Sequence, residues 1–166
     1  MATTSNFFSN RIDRKTGKQY KPIAMVLHIT DGSYESTMNW IKDPRSQVSY
    51  NYIVHDGRVE QIVKERHGAW ANGLVKRPTW KGFIIENGKI VNPNLYTISV
   101  AVANWGKVPV WKTWKAWRDL CEDIMQRHNL SVNDLQVVNH FEINNGKRCP
   151  RPFCTRHFLN LLLKFF

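Results

Sequence analysis

Two apolar runs constrain this chain more than anything else in it. Ile23-Ala24-Met25-Val26-Leu27 reads as a buried strand with His28-Ile29-Thr30 at its end, and Thr97-Ile98-Ser99-Val100-Ala101-Val102-Ala103 is apolar almost throughout, as a central strand is. Around them the pattern is mixed α and β. Residues 33–41 read as a short helix, with Ser33 as N-cap and Met38, Trp40 and Ile41 as its apolar positions. Residues 48–54 are strand-like, His55-Asp56-Gly57 is a turn signal, and residues 58–63 alternate as a half-buried strand does, so a hairpin is expected. A long polar passage over residues 64–93 holds Trp70, Trp80 and a short strand candidate, Phe83-Ile84-Ile85. Loops of that length are usually functional. Trp114, Trp117, Cys121, Ile124, Met125 and His128 recur at helical spacing and predict an amphipathic helix ending near Asn129. A strand after Asp134 leads into His140, and Thr155 opens a last helix whose apolar face docks inward. At 166 residues the chain suits one domain spanning 1–166, with a short polar arm at residues 1–6 and no separate binding module.

The chemistry concentrates at the end of the strand after Asp134. His140 is followed by a short loop that closes on Cys149-Pro150, so an imidazole and a thiol are presented together. His28, at the end of the first buried strand, is the best candidate for a third ligand. Zinc held by three protein ligands keeps a fourth position for water, which is a hydrolytic arrangement rather than a closed structural one. Each member has a plainer reading. A histidine ending a buried strand is often only hydrogen-bonded to a carbonyl, and Cys154, close behind Cys149, is a rival thiol that could also pair with it. Glu142 reads as an anchor of the loop rather than a ligand. His55, His67, His128 and His157 have no motif support.

The net charge of +11, from 24 Lys and Arg against 13 Asp and Glu, calls for an anionic partner, and nucleic acid, anionic lipid or a wall polymer all fit that charge. No basic run carries a recognisable nucleic-acid motif. No apolar stretch is long enough to span a bilayer and the first residues lack a secretory pattern, so synthesis in the cytoplasm is expected. Three unevenly placed cysteines do not make a disulfide framework.

Taken in order, the strand ending at His28, Val48-Ser49-Tyr50-Asn51-Tyr52-Ile53-Val54 with its Asp56-Gly57 turn, Ala69-Trp70-Ala71-Asn72-Gly73, Thr97-Ile98-Ser99-Val100, and the stretch from His140 to Pro150 resemble the zinc-dependent N-acetylmuramoyl-L-alanine amidases. That group includes bacteriophage endolysins and is related to the peptidoglycan recognition proteins. The resemblance implies an α/β fold with a mixed central sheet flanked by helices. It implies hydrolysis of the amide between N-acetylmuramic acid and L-alanine, one Zn2+ on His28, His140 and Cys149, and catalytic roles for Tyr50 and Lys147. Peptidoglycan is then the partner of a monomer that binds no nucleic acid and reaches the wall after a holin or lysis releases it. Trp70, Asn72 and Trp80 are expected to contact substrate, whereas Trp114 and Trp117 are expected in the core.

The resemblance also has departures. Ala101 stands where many members carry a catalytic glutamate, and Ala71 where relatives often place a histidine. Alternating pleat would put Tyr50, Tyr52 and Val54 on one face leading to the site. Three further readings compete: a non-catalytic peptidoglycan-binding module, a cytoplasmic amidase recycling muropeptides, and a basic nucleic-acid binder whose closed structural zinc recruits Cys154.

Overall fold

The computed structural model describes residues 7–103 and 107–165, and the arm expected at residues 1–6 lies outside them. In chain order the elements are β1 (Phe8–Ser9), β2 (Ala24–Thr30), α1 (Tyr34–Lys42), β3 (Tyr52–His55), β4 (Arg58–Gln61), β5 (Gly68–Ala69), β6 (Ile85–Glu86) and β7 (Lys89–Ile90). A 3-10 turn (Pro93–Leu95) follows, then β8 (Thr97–Ala103), α2 (Trp111–His128), β9 (Val137–Asn139), α3 (His140–Ile143) and α4 (Arg156–Phe165). The central sheet has the order β4-β3-β8-β2-β9, parallel throughout except for the antiparallel edge β4. The mixed sheet implied by the resemblance is therefore present. The two apolar runs, β2 and β8, occupy its middle and pair from Ala24 against Thr97 to Thr30 against Ala103.

Helices cover both faces because both faces of β2 and β8 are apolar. Met25, Leu27, Ile98, Val100 and Val102 pack against Trp117, Cys121 and Ile124 of α2 and Leu159 and Leu162 of α4. Full burial of each such aliphatic side chain contributes roughly 1.5–3 kcal/mol. On the other face Val26 and Val138 meet Trp80, Tyr96 and Ile143, while Ile53 and Ala101 meet Met38 and Ile41 of α1. No helix among the described residues is long and apolar enough to cross a membrane.

Local chemistry sets the element ends. The Ser33 side chain accepts from the Ser36 amide and caps α1, and Asn129 ends α2 in the left-handed conformation, its amide donating to Gln126 and Met125 carbonyls. Asp56 and Gly57 both have positive φ, as a two-residue hairpin turn requires. The same turn chemistry recurs at Asn87-Gly88, so the hairpin there pairs Ile85–Glu86 with Lys89–Ile90 and lies later than the expected strand at residues 83–85.

Strand β3 begins at Tyr52, not at Val48. At residue 51 side chains replace the backbone ladder: the Asn51 amide donates to Ser99 Oγ, and the Ser99 amide donates to Asn51 Oδ1, each at 3.0 Å. Pleat alternation therefore does not extend back to Tyr50. Tyr52 and Val54 pack toward α2 and α4, whereas Tyr50 packs on the opposite side, so the expected common face is corrected.

The N-terminal segment is tied in by Arg11, which is 2% exposed. Its guanidinium donates to the carbonyls of Glu65, Leu95 and Thr97 at 2.7–3.0 Å. Burial lowers its pKa to about 10, against the pull of Glu65, so it stays charged at neutral pH.

Candidate metal centre and catalytic cleft

Adjacent parallel strands bring the two histidines together. Leu27 on β2 is paired with Asn139 on β9, so the next residue of each, His28 and His140, leaves the sheet at the same end. Their ring centroids are 4.5 Å apart. His140 occupies the first turn of α3, which a reciprocal capping arrangement fixes: Glu142 Oε2 accepts from both the amide and the side chain of Asn139. Arg156 of α4 holds the same carboxylate from behind with two further bonds. Glu142 is thus an anchor, turned away from the ligands.

Cys149 enters from the loop after α3. Its sulfur accepts from the Ile29 amide at 3.1 Å, donates to the Ile29 carbonyl at 3.4 Å, and lies 3.8 Å from His28 Nδ1. The loop is closed behind it by the Phe141 amide donating to the Cys149 carbonyl. One potential ligand atom from each of His28, His140 and Cys149 lies within 4.8 Å of the others.

Three observations fit this set to a metal ion. His28 Nε2 is buried without a hydrogen-bond partner, a position that proteins seldom leave unexplained. His140 Nε2 meets the Asn72 carbonyl at 3.1 Å, which makes it the N–H side of the ring and leaves the Nδ1 lone pair for a ligand role. Burial holds both imidazoles below their usual range, with His140 adding to the effect at His28, so both are in the neutral, ligating form. Burial also pushes the Cys149 thiol up to about 12, opposed by the Ile29 hydrogen bond and Lys147, so its thiolate calls for a cation beside it. Two nitrogens and a thiolate are donors that suit zinc.

The triad opens into a cleft of about 500 Å3 lined by Asp31, Trp40, Tyr50, His140, Lys147 and Cys149 among others. Tyr50 stands edge-on to His28 with centroids 5.2 Å apart. Burial, then the negative charge that Cys149 and Asp31 can carry, raises the Tyr50 phenol above its ordinary range. It therefore keeps its proton at neutral pH.

Of the three residues expected at the substrate, none lines this cleft. Trp80 is 3% exposed, packs on Phe83 and Tyr96, and donates from Nε1 to the Leu135 carbonyl, so it is a core residue. Asn72 is buried, with its amide on Asn94, its side chain on Thr97 and its carbonyl on His140. Trp70 is half-buried against Phe7 and faces a separate cavity of about 600 Å3 beside the β6–β7 hairpin. The tryptophan that lines the cleft is Trp40, 53% exposed on α1. Its signal was available: Met38 and Ile41 define the buried stripe, and Trp40 lies off it. Cys154 is wholly buried in the core beneath α2 and α4, outside the ligand group, which removes the fourth ligand a closed zinc site would need.

Residues 18–152 match the family described as N-acetylmuramoyl-L-alanine amidase, and the chain belongs to that family. A curated relative, N-acetylmuramoyl-L-alanine amidase A of Achromobacter lyticus, is 39% identical over 49 residues, a segment that is 28% of this chain and 28% of that protein. The fold is similar to that of N-acetylmuramoyl-L-alanine amidase LysC from Clostridium intestinale URNW, with a TM-score of 0.64, 14% identity, and 98% and 93% of the two chains covered. It is also similar to the E. coli N-acetylmuramyl-L-alanine amidase AmiD, solved with the substrate anhydro-N-acetylmuramic acid-L-Ala-D-γ-Glu-L-Lys. There the TM-score is 0.60 at 24% identity, with 79% of this chain and 52% of that one covered.

Proposed function

We propose that this chain is a zinc-dependent amidase that hydrolyses the bond between N-acetylmuramic acid and L-alanine in peptidoglycan. The observation that carries the reading is the convergence of His28, His140 and Cys149 at the floor of a cleft that Tyr50 and Lys147 also line. Zinc bound there would polarise the scissile carbonyl and acidify a water molecule. The protein's own groups do the rest. Asn72 fixes the His140 tautomer. The Tyr50 phenol, protonated and close to His28, donates a hydrogen bond to the reacting carbonyl or passes its proton to the leaving amine. The Lys147 ammonium stabilises the oxyanion as it develops. Trp40 offers its exposed ring to a sugar or peptide face at the rim.

The biological role that fits is that of an endolysin, released from the cytoplasm by a holin or lysis and drawn to anionic wall polymers by its net charge of +11. Mass analysis of purified peptidoglycan after digestion, with and without a chelator, tests both levels. Release of stem peptides with a free N-terminal alanine, abolished by chelation and restored by zinc, supports the reading. Cleavage elsewhere, or none, rejects it. Activity on small muropeptides but not on intact sacculi would assign a recycling role instead.

A further inference from the structure

Hydrolysis of an amide by water needs one group that takes a proton from the water and another that gives a proton to the departing amine. The cleft holds the second kind: Tyr50 keeps its phenol proton, and the Lys147 ammonium is a donor only. His140 and Cys149 are committed as ligand candidates, which leaves the proton of the water without an acceptor among them. Asp31 is the one carboxylate among the residues that line the cleft.

The chain holds this carboxylate on a braced turn at the mouth of the ligand strand. Asp31 follows directly on β2, two residues after Ile29, whose amide and carbonyl both meet the Cys149 sulfur. Thr30 Oγ1 donates to the Gly32 carbonyl and accepts from Thr37 Oγ1 of α1, each at 3.0 Å, so the backbone is fixed on both sides of Asp31. The turn also lies hard against α1, since a side chain at Gly32 would meet Ser36 Oγ at 2.7 Å. Asp31 itself is exposed, and among the described residues its side chain forms no ion pair and accepts no hydrogen bond. Every lone pair of the carboxylate is therefore open to a molecule in the cleft. Behind burial, its charge also contributes to raising both the Tyr50 phenol and the Cys149 thiol, so it is felt at groups on both sides of the cleft.

We infer that Asp31 is the base that takes the proton of the attacking water, an inference that rests on the amidase reading above. As the water oxygen bonds to the carbonyl carbon, one water proton passes to an Asp31 oxygen. The C–N bond then breaks while the leaving nitrogen takes the Tyr50 proton, and the proton held by Asp31 returns to the phenolate. The products are the muramoyl carboxylic acid and a free alanyl amine, with Asp31 and Tyr50 as they began.

The test is steady-state kinetics of the zinc-loaded protein on a defined muramoyl peptide, with metal content and thermal unfolding measured on each variant. Asp31→Asn should lower kcat by about 100-fold or more and leave KM, zinc content and the unfolding midpoint at their wild-type values. Asp31→Gly should be as slow, yet added formate should restore its turnover by about 10-fold or more, because a small carboxylate can enter the space left open. Formate should do nothing for Asp31→Asn, whose carboxamide fills that space. Wild-type kcat in Asp31→Asn, a rise in KM alone, zinc lost in step with activity, or no rescue of Asp31→Gly by formate would each overturn the inference. If the wild type fails to cleave the muramoyl peptide, the amidase reading falls with it; if the wild type cleaves and any of those outcomes is found, only the role of Asp31 falls.

Discussion

His28 and Ala101 face each other across the parallel ladder of β2 and β8, so a methyl group stands directly beside a metal-ligand candidate. Ala101 is fully buried in the cluster that holds Ile53, Met38 and Ile41. Reinstating a carboxylate at this position, where related amidases are expected to carry one, would place it against aliphatic side chains. Ala101→Glu should lower stability by about 3 kcal/mol, read from urea unfolding. No change in the midpoint would mean that the space beside His28 is wetter and roomier than the packing indicates.

With no carboxylate at residue 101, the amidase reading assigns proton handling to Tyr50 and Lys147. Tyr50→Phe and Lys147→Ala should each reduce turnover of a defined muramoyl peptide by about 100-fold or more while zinc content stays at the wild-type level. The double variant should lose less than the product of the two, since both groups serve one transition state. Because the phenol is held protonated, Tyr50→Phe should not remove an ionisation from the pH profile between pH 5 and 8. Wild-type turnover in Tyr50→Phe would assign its role elsewhere.

The two thiols after α3 should separate cleanly. Cys149→Ser should lose zinc and activity, because the serine oxygen is a poor metal ligand at neutral pH. Cys154→Ser should keep both, yet unfold about 1–2 kcal/mol earlier, because it places a hydroxyl in the core beneath α2. Metal analysis and thermal unfolding of the two proteins decide this, and zinc loss confined to Cys154→Ser would show the ligand set to be wrong.

Acid sensitivity should have a specific contributor in Glu65. Burial acts to raise its pKa, but hydrogen bonds from Arg127, His128 and Tyr52 outweigh it and bring the carboxyl down from 4.5 to about 2. A carboxylate whose folded pKa is depressed stabilises the protein above its unfolded value and loses that contribution as pH falls through the folded one. Wild type should therefore lose stability between pH 4.5 and about 2, and Glu65→Gln should flatten that slope while costing about 2 kcal/mol at pH 7. An unchanged slope in chemical denaturation would exclude Glu65 as the source.

The sheet and the ligand group were legible because they rest on period and residue type: unbroken apolar runs mark the central strands, and the histidines and Cys149 carry chemistry that few other residues can supply. What escaped was set by side chains that bond to backbone across the fold. Asn51 and Ser99 end the ladder at β3, and no alternation pattern reveals that, so Tyr52 and Val54 do not share the face on which Tyr50 reaches the cleft. Trp80 and Asn72 lie in a polar stretch that looks like an exposed loop, yet the Leu135, Thr97 and Asn94 partners that bury them are distant in sequence. Arg11 and Arg156, which fix the two ends of the site's scaffold, look like any of the many surface cations until their carbonyl and carboxylate partners are seen.

Those two arginines lie on either side of the span that the family defines, residues 18–152. A shorter polypeptide trimmed to that span would keep all three ligand candidates. It would still uncover the Glu65, Leu95 and Thr97 carbonyls that Arg11 satisfies, and it would release the Glu142 carboxylate that Arg156 grips behind His140. Inherited similarity and mechanical integrity thus draw different borders in this molecule: the lineage is written in the middle of the chain, while the rigidity of the turn that carries His140 is imported from its margins.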